Sequence, residues 1–209
     1  MSLRDRVHRG YVQGRRVRVL AEHIAELLPP RARVLDVGCG DGTLTAALAL
    51  RRPDLSLHGI DVHVREVSLV PVRLFDGKQI PFDEGAFDAL LFVDSLHHAE
   101  DPLLLLTEAV RVSRQAVVIK DHTLDGFMAG PTLRLMDRVG NARHGVPLPF
   151  NYWTEARWRE SFAQLGLHIE VWRAKLGLYP PPAGWLFDRS LHFLARLVPA
   201  AAGPGTLRR

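Results

Sequence analysis

The run Val34-Leu35-Asp36-Val37-Gly38-Cys39-Gly40-Asp41-Gly42 constrains this chain more than any other segment. A short, β-branched and apolar stretch delivers the backbone to glycines at alternate positions, and an Ala- and Leu-rich stretch, 43–50, follows. Glycine tolerates positive φ, and without a Cβ it lets a ligand approach the main chain. The turn therefore opens a helix whose first N–H groups face outward, an arrangement suited to holding a polar ligand. The spacing is Gly-x-Gly-x-Gly, which differs from the Gly-x-Gly-x-x-Gly of dinucleotide sites. Asp36, inside the strand, adds a second difference. A carboxylate there can accept from an ammonium group or brace the loop, but it repels a pyrophosphate.

The segments around this turn alternate between two periodicities. Residues 15–28 carry Val17, Leu20, Ile24, Leu27 and Leu28 at helical spacing and stop at Pro29-Pro30. Strands are expected at 34–38, 55–61, 70–75, 87–93, 115–120 and 167–173, with helices at 43–50, Pro102–Val112, 131–139 and 154–165. Short apolar strands separated by helices mean a doubly wound α/β fold, with a mostly parallel sheet of six or seven strands covered on both faces. Right-handed crossovers bring the ends of the first strands to one crevice, where a ligand belongs. The chain reads as a single domain, 1–209. Its long, Gly- and Pro-rich segment 122–152 after the fifth strand is expected to form a lid. Residues 176–209 are expected to form an apolar helix and tail, with Trp185–Val198 either packed on the sheet or lying on a membrane surface.

Composition narrows the partners. One cysteine, Cys39, excludes an intramolecular disulfide and argues against a Cys-based zinc site. No apolar run approaches the length of a membrane span and no secretory leader is legible, so the expected location is cytoplasmic, with membrane association through the C-terminal helix as an option. The net charge is +4, and all the basic residues but Lys78, Lys120 and Lys175 are arginines. They are spread along the chain without interleaved aromatics, which disfavours a nucleic-acid groove.

Four segments in order, VLDVGCGDG (34–42), HGID (58–61), DGKQIPF (76–82) and FDALLFVDSLHHAEDP (87–102), make the sequence resemble the class I S-adenosylmethionine-dependent methyltransferases, in particular the branch acting on small molecules and lipids. The resemblance implies S-adenosyl-L-methionine as cofactor. It places Asp36, Gly38, Cys39 and Gly40 around the methionine part, Asp61 on the ribose hydroxyls with Val62 beside it, Asp76 and Gly77 at the adenine, and Asp94 in the loop facing the transferred methyl. The expected function is methyl transfer to a small, possibly lipophilic, acceptor. The alternatives are a nicotinamide-dependent oxidoreductase and a non-catalytic binding module. Two departures from the family stand out: too few residues separate Asp61 and Asp76 for a full helix, and no seventh strand is legible near the C-terminus. Asp94, His97 and His122 are the candidate general bases, with no catalytic residue assigned. Asp121-His122 ends the fifth strand as a substrate contact or a turn. No metal is expected, because the neighbours His97 and His98 should point apart and no further ligand at metal-binding spacing joins them.

Overall fold

The structure, a computed structural model, describes residues 14–141, 149–181 and 183–200. In chain order its elements are α1 (Gly14–Leu27), β1 (Arg33–Val37), α2 (Thr43–Arg51), β2 (Ser56–Asp61), β3 (Val72–Leu74), β4 (Phe87–Val93), a 3₁₀ turn (Leu96–His98), α3 (Pro102–Val112), β5 (Ser113–His122), α4 (Ala129–Asn141), α5 (Glu155–Gln164), β6 (Leu167–Arg173), α6 (Ala183–Phe187) and β7 (His192–Pro199). The strands form one sheet in the order β3-β2-β1-β4-β5-β7-β6. Pairing is parallel from β3 through β5, and β7 runs antiparallel to both β5 and β6.

The period-2 geometry of a strand divides its residues between two cores. Leu35, Val37, Leu90, Phe92, Val117 and Ile119 point to one face, where α3 and α5 cover them with Leu105, Leu106, Trp158 and Phe162. Val34, Ala89, Leu91, Ala116 and Val118 point to the other face and meet α1 and α2 through Leu20, Ile24 and Leu48. Both faces are dry, so the central strands are apolar at nearly every position. Each fully buried large side chain contributes about 1.5–3 kcal/mol relative to leaving it in water. Helix α3 starts where Asp101 accepts hydrogen bonds from the N–H groups of Leu103 and Leu104 and proline occupies its first turn. Thr154 caps α5 in the same way.

The expected helix across Trp185–Val198 is corrected. Only Ala183–Phe187 is helical, and His192–Pro199 is β7, inserted between β5 and β6. Phe193, Ala195 and Leu197 face one core while Leu194 faces the other, and a run that is apolar on both sides looks the same for a buried strand and a buried helix. Pairing over Val117↔Leu197 to His122↔His192 decides for the strand. Those apolar side chains are buried in the sheet, whereas Trp185 and Leu186 of the short helix stay exposed. Among the described residues no helix is long and apolar enough to cross a membrane. Residues 62–71 form no helix, as the short spacing between Asp61 and Asp76 implied. The expected lid contains α4, whose Ala129 and Leu133 pack on Tyr152 and Leu191. Residues 142–148 of the lid and 201–209 of the tail lie outside the described residues.

Candidate active site

The parallel register brings the C-terminal ends of four strands to one edge. Val37 sits opposite Ile60 and Phe92, and Asp61 sits opposite Leu74. Just past those pairs come Gly38, Asp94 and the Asp76 turn, so the sequence-predicted cofactor residues gather along one crevice. Leaving β1, the chain keeps two more hydrogen bonds to β2, from the N–H groups of Gly38 and Cys39 to the carbonyl of Ile60 at 2.8 and 3.2 Å. Gly38, Gly40 and Gly42 all have positive φ, +78°, +61° and +73°. A Cβ on Gly42 would lie 2.4 Å from a Val70 methyl, so this position accepts hydrogen alone.

The carboxylates along the edge have different tasks. Asp61 accepts from the Gly40 N–H at 2.8 Å through one oxygen and from the His63 N–H at 2.9 Å through the other. It stays partly exposed, so it ties the glycine loop to β2 while keeping lone pairs for a diol. Asp76 bonds the N–H groups of Lys78 and Gln79 through Oδ1, both at 2.8 Å, and it is exposed. Gly77 faces Val62 so closely that a Cβ would come within 3.0 Å of its methyl. Val62 and the Asp76-Gly77 turn thus lie against one another. Cys39 packs against Gly59, and burial pushes its thiol pKa upward.

Asp36 lies beneath the loop. It is 2% exposed and accepts a 2.6 Å hydrogen bond from Thr45 in the first turn of α2, so it braces the glycine turn from inside. Burial raises its pKa to about 7, against the Thr45 hydroxyl, which lowers it. Because the folded pKa exceeds the ordinary 3.8, the folded state holds a proton that the unfolded chain has lost between those values. The stabilisation is complete below about 3.8 and disappears as pH rises to about 7. Asp36→Asn should flatten this slope, worth on the order of 4 kcal/mol across the interval. Urea unfolding at a series of pH values checks it, and an unchanged slope in the variant would refute the assignment.

A second constellation, largely illegible in the sequence, adjoins the glycine loop. Asp94 has φ +52° and turns its carboxylate onto Arg16 of α1 and Lys120 of β5, forming an ion pair with each. Burial alone would raise its pKa, but Lys120 and Arg16 outweigh it and hold the carboxyl well below the usual range. Its side chain is thereby engaged by protein cations. Lys120, fully buried, also lies 3.2 Å from Nδ1 of His192. Burial and then Lys120 push His122 well below its ordinary pKa, which keeps the ring neutral, with Nε2 3.4 Å from Asp94. His97 is 1% exposed, and its Nδ1 is 2.6 Å from Asp121. Its Nε2 faces Asp137 of α4, whose carboxylate also accepts from the Tyr152 hydroxyl. Desolvation opposes a charge on His97, yet Asp121 and Asp137 hold its pKa up at about 10. Asp121-His122 is thus buried at the end of β5 rather than in a solvent turn. Arg16, Lys120, Asp137, Tyr152 and His192 were not foreseen. An apolar-flanked lysine at 120 inside a strand was the one available signal.

A separate cleft of about 480 Å³ lies between Glu100–Leu103, residues 150–153 and α5. It contains none of the cofactor residues.

A sheet of this order with a glycine turn closing its first strand and acids ending the second and third defines a Rossmann-like, nucleoside-binding enzyme class. The family described as a methyltransferase domain matches residues 35–119, which include the glycine loop, Asp61, Asp76 and Asp94. The chain is 29% identical over 110 residues to 27-O-demethylrifamycin SV methyltransferase of Amycolatopsis mediterranei, a match covering 46% of this chain and 40% of that protein. It is 32% identical over 92 residues to the ribosomal RNA small subunit methyltransferase C of Shewanella loihica, covering 40% and 26%. In overall shape it is similar to a chain of the solved complex between the Haloferax volcanii Trm112 methyltransferase activator and a methyltransferase, with a TM-score of 0.65 at 18% identity, over 94% of this chain and 96% of that one. Residues 35–119 carry a methyltransferase domain, and the fold is shared with solved S-adenosylmethionine-dependent methyltransferases, a class whose cofactor is S-adenosylmethionine. The chain spans less than half the length of the two curated relatives just named. The nicotinamide reading is set aside by these matches.

Proposed function

We propose that this chain transfers the methyl group of S-adenosylmethionine to a small acceptor held under the α4 lid. One observation carries the reading: the glycine loop, Asp61 and the Val62–Asp76–Gly77 turn share a sheet edge with the loop after β4, against which the lid packs. The residues fit the cofactor in size and chemistry. A bare glycine turn suits its amino-acid part, a partly exposed Asp61 suits a ribose diol, and the exposed Val62 beside Gly77 offers an apolar edge to a flat base. The cofactor supplies an electrophilic methyl on a sulfonium. The protein's share is then to align the acceptor with it at about 3 Å and exclude water. The acceptor side is apolar at its rim, where Phe127, Met128 and Leu135 are exposed beside α4. That supports a lipophilic acceptor. The relative from Amycolatopsis mediterranei, named for a demethylrifamycin, is consistent with one.

Titration with S-adenosylhomocysteine tests the reading. We expect saturable binding that Asp61→Ala weakens by about 100-fold, since a charge-assisted diol contact and the Gly40 tether are lost together. Wild-type protein that binds no S-adenosylhomocysteine, or Asp61→Ala that binds it equally well, would sink the assignment.

A further inference from the structure

We propose that His97, His98 and Asp137 form a site for one divalent transition-metal ion. The imidazole rings of His97 and His98 do not diverge as sequence neighbours were expected to. The 3₁₀ turn Leu96–His98 brings their centroids to 4.0 Å. His97 Nε2 and His98 Nδ1 are both buried and make no hydrogen bond. Buried ring nitrogens without partners are costly, and His98 Nδ1 has none, while His97 Nε2 has only the Asp137 carboxylate 3.4 Å away, so a metal ion would take the place of the proton His97 holds toward Asp137. A carboxylate oxygen of Asp137 completes the set, with one ligand atom from each residue lying within 4.8 Å of the others. Asp137 stands 3.4 Å from His97 Nε2. That separation is close to the edge of a tetrahedron with metal–ligand bonds of about 2.0–2.1 Å.

The surroundings are those of a supported metal ligand. The other nitrogen of His97 is fixed by Asp121 at 2.6 Å, and Asp121 in turn accepts from the His122 N–H at 2.7 Å. Asp137 is fixed by the Tyr152 hydroxyl. A carboxylate behind a ligating histidine and a hydrogen bond on a ligating carboxylate are the usual outer contacts of such sites. Two imidazoles with one carboxylate suit zinc, cobalt or ferrous iron rather than magnesium or calcium, which prefer oxygen-only sets. Three protein ligands leave a coordination position open. If the methyl-transfer reading holds, an oxygen of the acceptor fits there. Binding of the ion does not depend on that reading.

The experiment uses the full chain, stripped with chelator, titrated with cobalt(II) and followed by visible d–d absorption, with zinc(II) displacement by calorimetry. We expect one ion per chain. His98→Ala and Asp137→Asn should each weaken binding by at least about 100-fold, and Asp121→Asn by about 10- to 100-fold. S-adenosylhomocysteine affinity in the same samples reports folding, since these residues lie outside the glycine loop. Absence of saturable cobalt binding overturns the proposal, as does wild-type affinity in both ligand variants. Metal binding by a protein that ignores S-adenosylhomocysteine would support the site while ending the methyl-transfer reading.

Discussion

Gly38→Val is expected to abolish measurable S-adenosylhomocysteine binding and to destabilise the fold by about 3–5 kcal/mol. Two independent costs meet at this residue. Its φ of +78° is left-handed, which costs a side-chain-bearing residue about 1–2 kcal/mol and a β-branched one more. A Cβ there would also stand 2.6 Å from the Ser95 Cβ, and Ser95 cannot retreat freely because its hydroxyl is bonded to the Val37 carbonyl at 3.0 Å. The loop must therefore move, and the Gly40 N–H moves away from Asp61 with it. Thermal melts with ligand titrations read both effects. Gly38→Ala combined with Ser95→Gly separates them: relief of the clash should restore part of the stability but leave the backbone cost. Full binding by Gly38→Val would mean that the glycine turn is not the cradle.

Asp94→Ala should cost about 3–5 kcal/mol in urea unfolding at neutral pH, because it strips the counter-charge from the buried Lys120 and the partly buried Arg16. Lys120 is wholly inaccessible, and Arg16 sits against the same carboxylate. Lys120→Met added to Asp94→Ala should recover much of the loss, since an apolar chain of similar length replaces an unpaired ammonium. The pH dependence has a definite sign. Burial lowers the folded-state pKa of Lys120 below its ordinary 10.5. The unfolded chain then binds more protons, and stability rises with pH. Without Asp94 that depression deepens, so the variant should be least impaired under alkaline conditions. A uniform penalty at all pH values, or one below about 1 kcal/mol, would contradict a buried ion cluster.

Much of the strand-end crevice was readable from residue order, because it is built from the chain ends of neighbouring parallel strands. Gly38, Asp61 and Asp76 each follow a short apolar run, and parallel crossovers oblige such ends to meet. Asp36 was legible as a loop brace as well as a cofactor contact, and its burial on Thr45 favours the brace. Asp94 is the instructive failure. Its position after β4 was correct, but its partners come from α1, far upstream, and from β5, and no local pattern announces an ion pair across such distances. His97 and His98 failed differently: a strand or coil would send neighbouring side chains apart, whereas the tight turn gathers them.

The sequence by itself determined the class of fold, the sheet edge that gathers Gly38, Asp61 and Asp76, and most of the central elements, since these follow from local periodicity, glycine placement and the acids that close the strands. Only the tertiary structure decided that 192–199 is a strand, that Lys120 and Arg16 neutralise Asp94, and that the lid residue Asp137 faces His97. The reason is physical. An apolar run buried on both sides carries no period that distinguishes helix from strand, and a buried charge is tolerated only beside partners that folding brings from elsewhere in the chain.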